Sequence, residues 1–189
     1  IAVEVEKTGT QTCFTHVGME EYSKEKISKY LYRRGSSNGP DLSPTCRLTE
    51  PQKTVKGKFF KWFDEDFSNS LYKLTQDEQN IIDSIKECIL ANKQEITDGI
   101  ISKYNTLKAN KESGIITITV YSNGEKKYLG EIEAFKKIVQ ARALTNYFEK
   151  YNKTSKADNQ TCSVCRKKDR EVYGFVSTYA FYTVDKPGM

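Results

Sequence analysis

The segment Ile115-Ile-Thr-Ile-Thr-Val-Tyr121 is β-branched at nearly every position, and Asn123-Gly124 follows almost at once. Side chains branched at Cβ are stiff about χ1 and fit a pleated surface better than a helix. Asn and Gly both tolerate positive φ, which a two-residue type I′ hairpin turn demands. The spacing therefore predicts a strand over 115–121 that returns along Lys126–Leu129. Any fold open to this chain must contain an antiparallel pair at that place.

The flanking segments read differently. Ala2–Glu6 and Gln11–Val17 alternate apolar and polar residues, the period of a half-buried strand, with Lys7-Thr8-Gly9-Thr10 as the turn. Met19 to Tyr32 has helical spacing, with Glu20, Glu21 and Glu25 early and Arg33 and Arg34 late, in the order that suits the helix dipole. Gly35–Pro40, Pro44 and Pro51 predict a long loop over about 33–52. Thr75 or Asp77 caps the next helical stretch, whose isoleucines (Ile81, Ile82, Ile85, Ile89, then Ile96, Ile100, Ile101) predict two helices or one bent near Asp98-Gly99. Glu131–Tyr151 is predicted helical, and two closing strands are expected at about Glu171–Val176 and Tyr179–Val184. The expected class is α+β: antiparallel strands and hairpins packed with several helices, without a βαβ rhythm. A core over 1–151 precedes a cysteine-pair segment over 152–189 that carries a zinc-knuckle-like half site.

With 37% hydrophobic residues, twelve Tyr, nine Phe and one Trp, the 189-residue chain lies above the disordered regime. It offers no run near the ~20 apolar residues a membrane helix needs. Five scattered cysteines without a signal sequence argue against a secreted disulfide framework, so a cytoplasmic location is expected. The chain lacks an initiator Met and stops at Pro187-Gly188-Met189, and it is read as a fragment of something longer.

Charge is unevenly spread. Between Lys26 and Phe63 nine basic residues face two acidic ones, Asp41 and Glu50, for a net +7; the rest of the chain then sums to −2 against a total of +5. Such concentration is the footprint of a polyanion partner, or else a solvated lysine-rich face. Within the window, Arg33 and Arg34 enter a loop with Ser36, Ser37 and Asn38, donors suited to phosphates and base edges. Lys53, Lys56, Lys58 and Lys61 interleave with Phe59, Phe60, Trp62 and Phe63, a strip that could stack bases or form an amphipathic strand. Most of those rings are expected in the core.

Cys162 and Cys165 have the C-x-x-C spacing of one half of a tetrahedral zinc site, and the basic Arg166, Lys167 and Lys168 favour thiolates. Four readings stand: the other ligands lie beyond Met189, which is preferred; Cys13, His16 or Cys46 complete the site; the pair is a redox motif; or both are plain thiols. The consecutive Asp64, Glu65 and Asp66 cannot all face one metal from a regular element, and a single histidine removes most triad architectures. An enzyme is not expected.

Several blocks together resemble a known family. Tyr30-Leu-Tyr-Arg-Arg-Gly-Ser-Ser-Asn-Gly-Pro40 with Ser43-Pro-Thr45, Tyr128-Leu-Gly-Glu-Ile-Glu-Ala-Phe135, Cys162-Ser-Val-Cys-Arg-Lys-Lys168, Glu171–Val176 and Phe181–Gly188 are similar, in order, to segments of the large subunit of type I-B CRISPR surveillance complexes (Cascade). The resemblance implies a non-catalytic, DNA-targeting subunit. Its partners would be guide RNA, target double-stranded DNA, the other subunits and a recruited helicase-nuclease effector, with no membrane. It also implies a second C-x-x-C downstream, and hence zinc in the full-length protein. Arg166 departs from the glycine common after the second cysteine. Charge and loop chemistry, not the resemblance, nominate Arg33, Arg34, Ser36, Ser37 and Asn38 for the flanking duplex or the guide's 5′ end, and Lys53, Lys56, Lys58 and Lys61 for the backbone. The remaining readings are a protein-interaction scaffold without nucleic-acid contact and a metal-dependent nuclease.

Overall fold

A computed structural model of the chain describes residues 1–35, 39–150, 153–154 and 156–173. It divides into two compact units, Ile1–Val139 and Gln140–Met189. The class is α+β, as expected.

The predicted hairpin is present: β4 (Gly114–Ser122) turns through Asn123 (φ 53°) and Gly124 (φ 79°) into β5 (Glu125–Tyr128). Strands β1 (Ala2–Thr8) and β2 (Gln11–Gly18) form the expected antiparallel pair. The link between the hairpins is a parallel pairing that no local sequence pattern encodes. β1 runs parallel to β4, Ala2 opposite Thr117 and Lys7 opposite Ser122. The far edge of β4 is shared by β5 and by β3 (Cys46–Leu48), which pairs with Gly114–Ile116. This central position explains the sequence of β4. Ile116, Ile118 and Val120 alternate with Thr117 and Thr119, and all five are buried because both faces of the strand are covered.

Two long helices supply much of the apolar layer. α3 (Gln76–Ala91) opens with a full capping box, Glu78 N–H donating to Thr75 Oγ1 (3.3 Å) and Thr75 N–H to Glu78 Oε2 (2.8 Å). It ends at Asn92, and α4 (Lys93–Ala109) then runs straight through Asp98-Gly99, so the expected break there is misplaced. Gly99 is needed for contact, not for bending: a Cβ there would lie 2.7 Å from Val17 Cγ2 on β2. Ile82, Ile85, Ile89, Ile96 and Ile100 are all buried.

Three further expectations are corrected. The Met19–Tyr32 helix shrinks to a 3₁₀ turn (Lys24–Lys26) and one helical turn, α1 (Ile27–Tyr30), ended by Leu31 at φ 54°. Tertiary contacts hold the preceding residues instead: Glu20 accepts from Tyr128 Oη–H at 2.7 Å, and Tyr22 stacks on Tyr30. The long loop is interrupted by β3, and Pro51 opens α2 (Pro51–Thr54) at the first helical position, where its missing N–H costs nothing. The basic-aromatic strip is helical rather than a strand. α2 passes directly into a six-residue π-helix, Val55–Phe60. The rings do face the core, with Phe59, Trp62 and Phe63 fully buried, so none of these three is available to stack on a base. Trp62 stacks on Phe135 of α5 (Glu133–Phe148) at 5.7 Å.

The described part of the second unit contains the short pair β6 (Glu149–Lys150) and β7 (Lys153–Thr154), and then an antiparallel pair, β8 (Lys156–Gln160) and β9 (Arg170–Tyr173). The residues Glu171–Tyr173 are a strand as expected, but their partner is the polar stretch before the cysteines. The predicted strand at Tyr179–Val184 lies outside the described residues.

Candidate nucleic-acid interface

The arginine loop is built from its ends inward. Thr45 Oγ1–H donates to the Tyr30 carbonyl at 2.6 Å and also meets Thr117 Oγ1 at 2.9 Å, pinning the exit of α1 to the central strand. Leu42 N–H donates to the Arg33 carbonyl at 2.9 Å, closing the neck of the loop. Gly35 N–H donates to Asp41 Oδ1 at 3.0 Å, and a Cβ on Gly35 would sit 2.4 Å from the Pro40 carbonyl oxygen. On the far side, Trp62 Nε1–H donates to the Leu42 carbonyl at 3.0 Å. The arginines are therefore presented by a hydrogen-bonded neck. Arg33 and Arg34 are exposed; Ser36, Ser37 and Asn38 lie outside the described residues.

The four lysines have different fates. Asp41 is buried, and Lys58 Nζ lies 3.3 Å from its Oδ1, so this lysine neutralises a carboxylate taken out of water. Lys53, Lys56 and Lys61 are exposed on the helical segment. Lys53 meets Glu50 at 2.8 Å, a pair so exposed that it contributes little. Lys93 at the start of α4 lies over the Phe60 ring at 5.7 Å and adds a cation beside them. Arg33, Arg34, Lys53, Lys56 and Lys61 thus remain on the surface of the first unit, while Lys58 is a structural residue.

A residue missed by sequence reasoning sits beneath α1. Gly130 lies in the 3₁₀ turn Leu129–Glu131, and a Cβ there would stand 2.1 Å from the Ser28 carbonyl oxygen and 2.8 Å from that of Lys29. Glu131 clamps the same contact through Lys29 Nζ at 2.6 Å. That lysine, with the Tyr128 backbone N–H, holds the Glu131 carboxyl below the usual range. The Tyr128–Glu131 block therefore sets the position of the turn that delivers the arginines. The signal available in sequence was only a glycine with no turn chemistry around it.

In the second unit, Cys162 and Cys165 lie in the turn between β8 and β9. Cys165 N–H donates to Cys162 Sγ at 3.5 Å, Arg166 N–H to the Cys162 carbonyl at 2.8 Å, and Cys162 N–H to the Lys167 carbonyl at 2.9 Å. The Cys162 thiol is lowered chiefly by the Cys165 backbone N–H, then by that of Val164. Arg166 stands at φ 59°, in the left-handed region that favours glycine. Replacing it should relieve about 1 kcal/mol of backbone strain. Arg166→Gly is expected to slow hydrogen exchange of the Cys165 and Arg166 amides about fivefold, as an opening equilibrium shifted by that amount requires. Exchange unchanged or faster would contradict this. Cys46 is a different kind of thiol: burial pushes it up to about 12, leaving it a poor ligand. Among the described residues no group of three or more His, Cys, Asp and Glu could hold a metal ion.

Two of the three consecutive acidic residues are engaged locally. Asp66 Oδ1 accepts from Ser68 N–H and Oγ–H at 3.0 and 2.7 Å, and Glu65 Oε1 accepts from Tyr72 Oη–H at 2.7 Å. No helix among the described residues is long and apolar enough to cross a membrane.

The first unit is thus an α+β body that buries Phe59, Trp62 and Phe63 and displays arginines and lysines along the same stretch of chain. Comparison with protein families places it. Residues 1–141 match the N-terminal domain of CRISPR-associated protein TM1802, and residues 159–189 match the central domain of the same protein. The chain belongs to that CRISPR-associated family, and its role is in CRISPR defence. Searches of curated proteins and of solved structures gave no match.

Proposed function

We propose that this chain is a non-catalytic nucleic-acid-binding part of the large subunit of a type I-B CRISPR interference complex, acting in the cytoplasm. In this reading it contributes to recognition of the motif flanking the target and to holding guide RNA or the target strand. The observation that carries it is the segregation of charge: Arg33, Arg34, Lys53, Lys56 and Lys61 are exposed while Phe59, Trp62 and Phe63 in the same stretch are buried. A surface of this kind suits phosphate contacts, which position, with sequence left to guide pairing. The partners are guide RNA, target duplex, the other subunits and a helicase-nuclease effector.

Zinc has a structural role in the proposal. Cys162 and Cys165 would supply two of its thiolates, from a turn closed by the Cys165 N–H on Cys162 Sγ and by backbone bonds, and the other ligands would come from outside the described residues. A non-catalytic role is supported by the engagement of Glu65 and Asp66 in local hydrogen bonds. The experiment is duplex binding by the assembled complex whose copy of this chain carries Arg33→Ala, Arg34→Ala, Lys53→Ala, Lys56→Ala and Lys61→Ala. Weaker binding with a shallower salt dependence is expected; wild-type affinity and slope would favour a scaffold without nucleic-acid contact.

A further inference from the structure

Gly57 is the third residue of the π-helix Val55–Phe60, it is exposed, and nothing in the chain lies within 4 Å of where its Cβ would be. A glycine inside a helix weakens it relative to alanine, so its presence asks for a cause. The usual internal causes do not apply. Its φ is not in the left-handed region, unlike Gly9 and Gly124. No neighbouring side chain or backbone crowds it, unlike Gly99 and Gly130. It neither caps nor ends the segment, which runs on to Phe60. What a missing side chain still permits is close approach of something from outside.

The surroundings say what that is. Lys53 precedes Gly57 by four residues and Lys61 follows it by four, about one helical turn on either side, so the two flank its exposed face. Both are exposed, Lys56 is adjacent and exposed, and Lys93 stands beside Phe60. The ridge is a bare stretch of helix backbone between cations. The π-helix itself is a second sign, since such distortions are rare and concentrate at functional sites.

Resting on the nucleic-acid reading above, we infer that Gly57 is a contact point at which a phosphodiester backbone lies directly against the helix, between Lys53 and Lys61. The missing Cβ gives the backbone room; the flanking ammonium groups hold it. RNA and DNA share this chemistry, and separate binding arms tell them apart.

The test is Gly57→Ala in the full chain within the assembled complex. Because the site is sterically open to the protein itself, Tm should rise by about 2–4 °C. Binding should nevertheless weaken about tenfold, read with a labelled DNA duplex in one arm and a labelled single-stranded RNA in the other; the arm that weakens identifies the polymer. Gly57→Lys separates bulk from charge: it should also weaken binding despite its added positive charge. Wild-type binding by Gly57→Ala, tighter binding by Gly57→Lys, or a fall in Tm for Gly57→Ala would each overturn the inference. Lys53→Ala with Lys61→Ala serves as the reference. If it weakens binding while Gly57→Ala does not, the ridge binds nucleic acid without close approach at Gly57. If neither does, the nucleic-acid reading of this ridge fails with it.

Discussion

Trp62→Ala should destabilise the first unit by about 3–5 kcal/mol, the range for removing a large buried ring. Trp62 is fully buried, stacks on Phe135 at 5.7 Å, and meets Phe63 edge-on at 5.0 Å and Phe67 at 4.5 Å. It also donates to the Leu42 carbonyl, so truncation leaves that acceptor unpaired at the base of the arginine loop. Urea unfolding followed by far-UV circular dichroism measures the loss. Trp62→Phe keeps most of the ring but not the N–H, and should cost less while still freeing the neck near Leu42. Stability within 1 kcal/mol of wild type for Trp62→Ala would contradict the described core.

Gly130→Ala should cost ~3 kcal/mol or more, at the upper end of overpacking effects, because the obstruction is backbone on backbone and cannot rotate away. The new methyl would lie 2.1 Å from the Ser28 carbonyl oxygen, so α1 must move. Lys29 then loses its hold on Glu131, and the exit toward Arg33 shifts with it. The same urea experiment reads the stability. Hydrogen exchange across Ile27–Tyr30 reads the displacement, with faster exchange there than at the capped start of α3. A variant as stable as wild type would show that the 3₁₀ turn does not pack against α1.

What could be read from sequence was local, and what could not was long-range. Asn123-Gly124 and Thr75-x-x-Glu78 specify their turn and cap within a few residues, and both are found as read. The parallel pairing of β1 with β4 joins segments more than a hundred residues apart, and no local pattern encodes it. Residues 51–63 alternate rings and lysines in a way that a strand or a helix could satisfy; Pro51 decides for a helix by fitting its first position. The Met19–Tyr32 periodicity loses to the long-range hydrogen bond that Tyr128 donates to Glu20. The charge window was legible by counting, as was the core placement of Phe59, Trp62 and Phe63. The commitment of Lys58 to Asp41 was not, because a lysine's partner is set by the fold around it.

In the proposed function, exposed cations of this chain neutralise nucleic-acid phosphates. Its most direct test is the slope of log affinity against log salt concentration for duplex binding, compared between the wild-type complex and the five-alanine variant. Each phosphate contact on a duplex contributes about −0.9 to that slope, so loss of all five side chains should make it shallower by up to roughly 4.5. A slope that matches wild type, with affinity unchanged, would contradict the account.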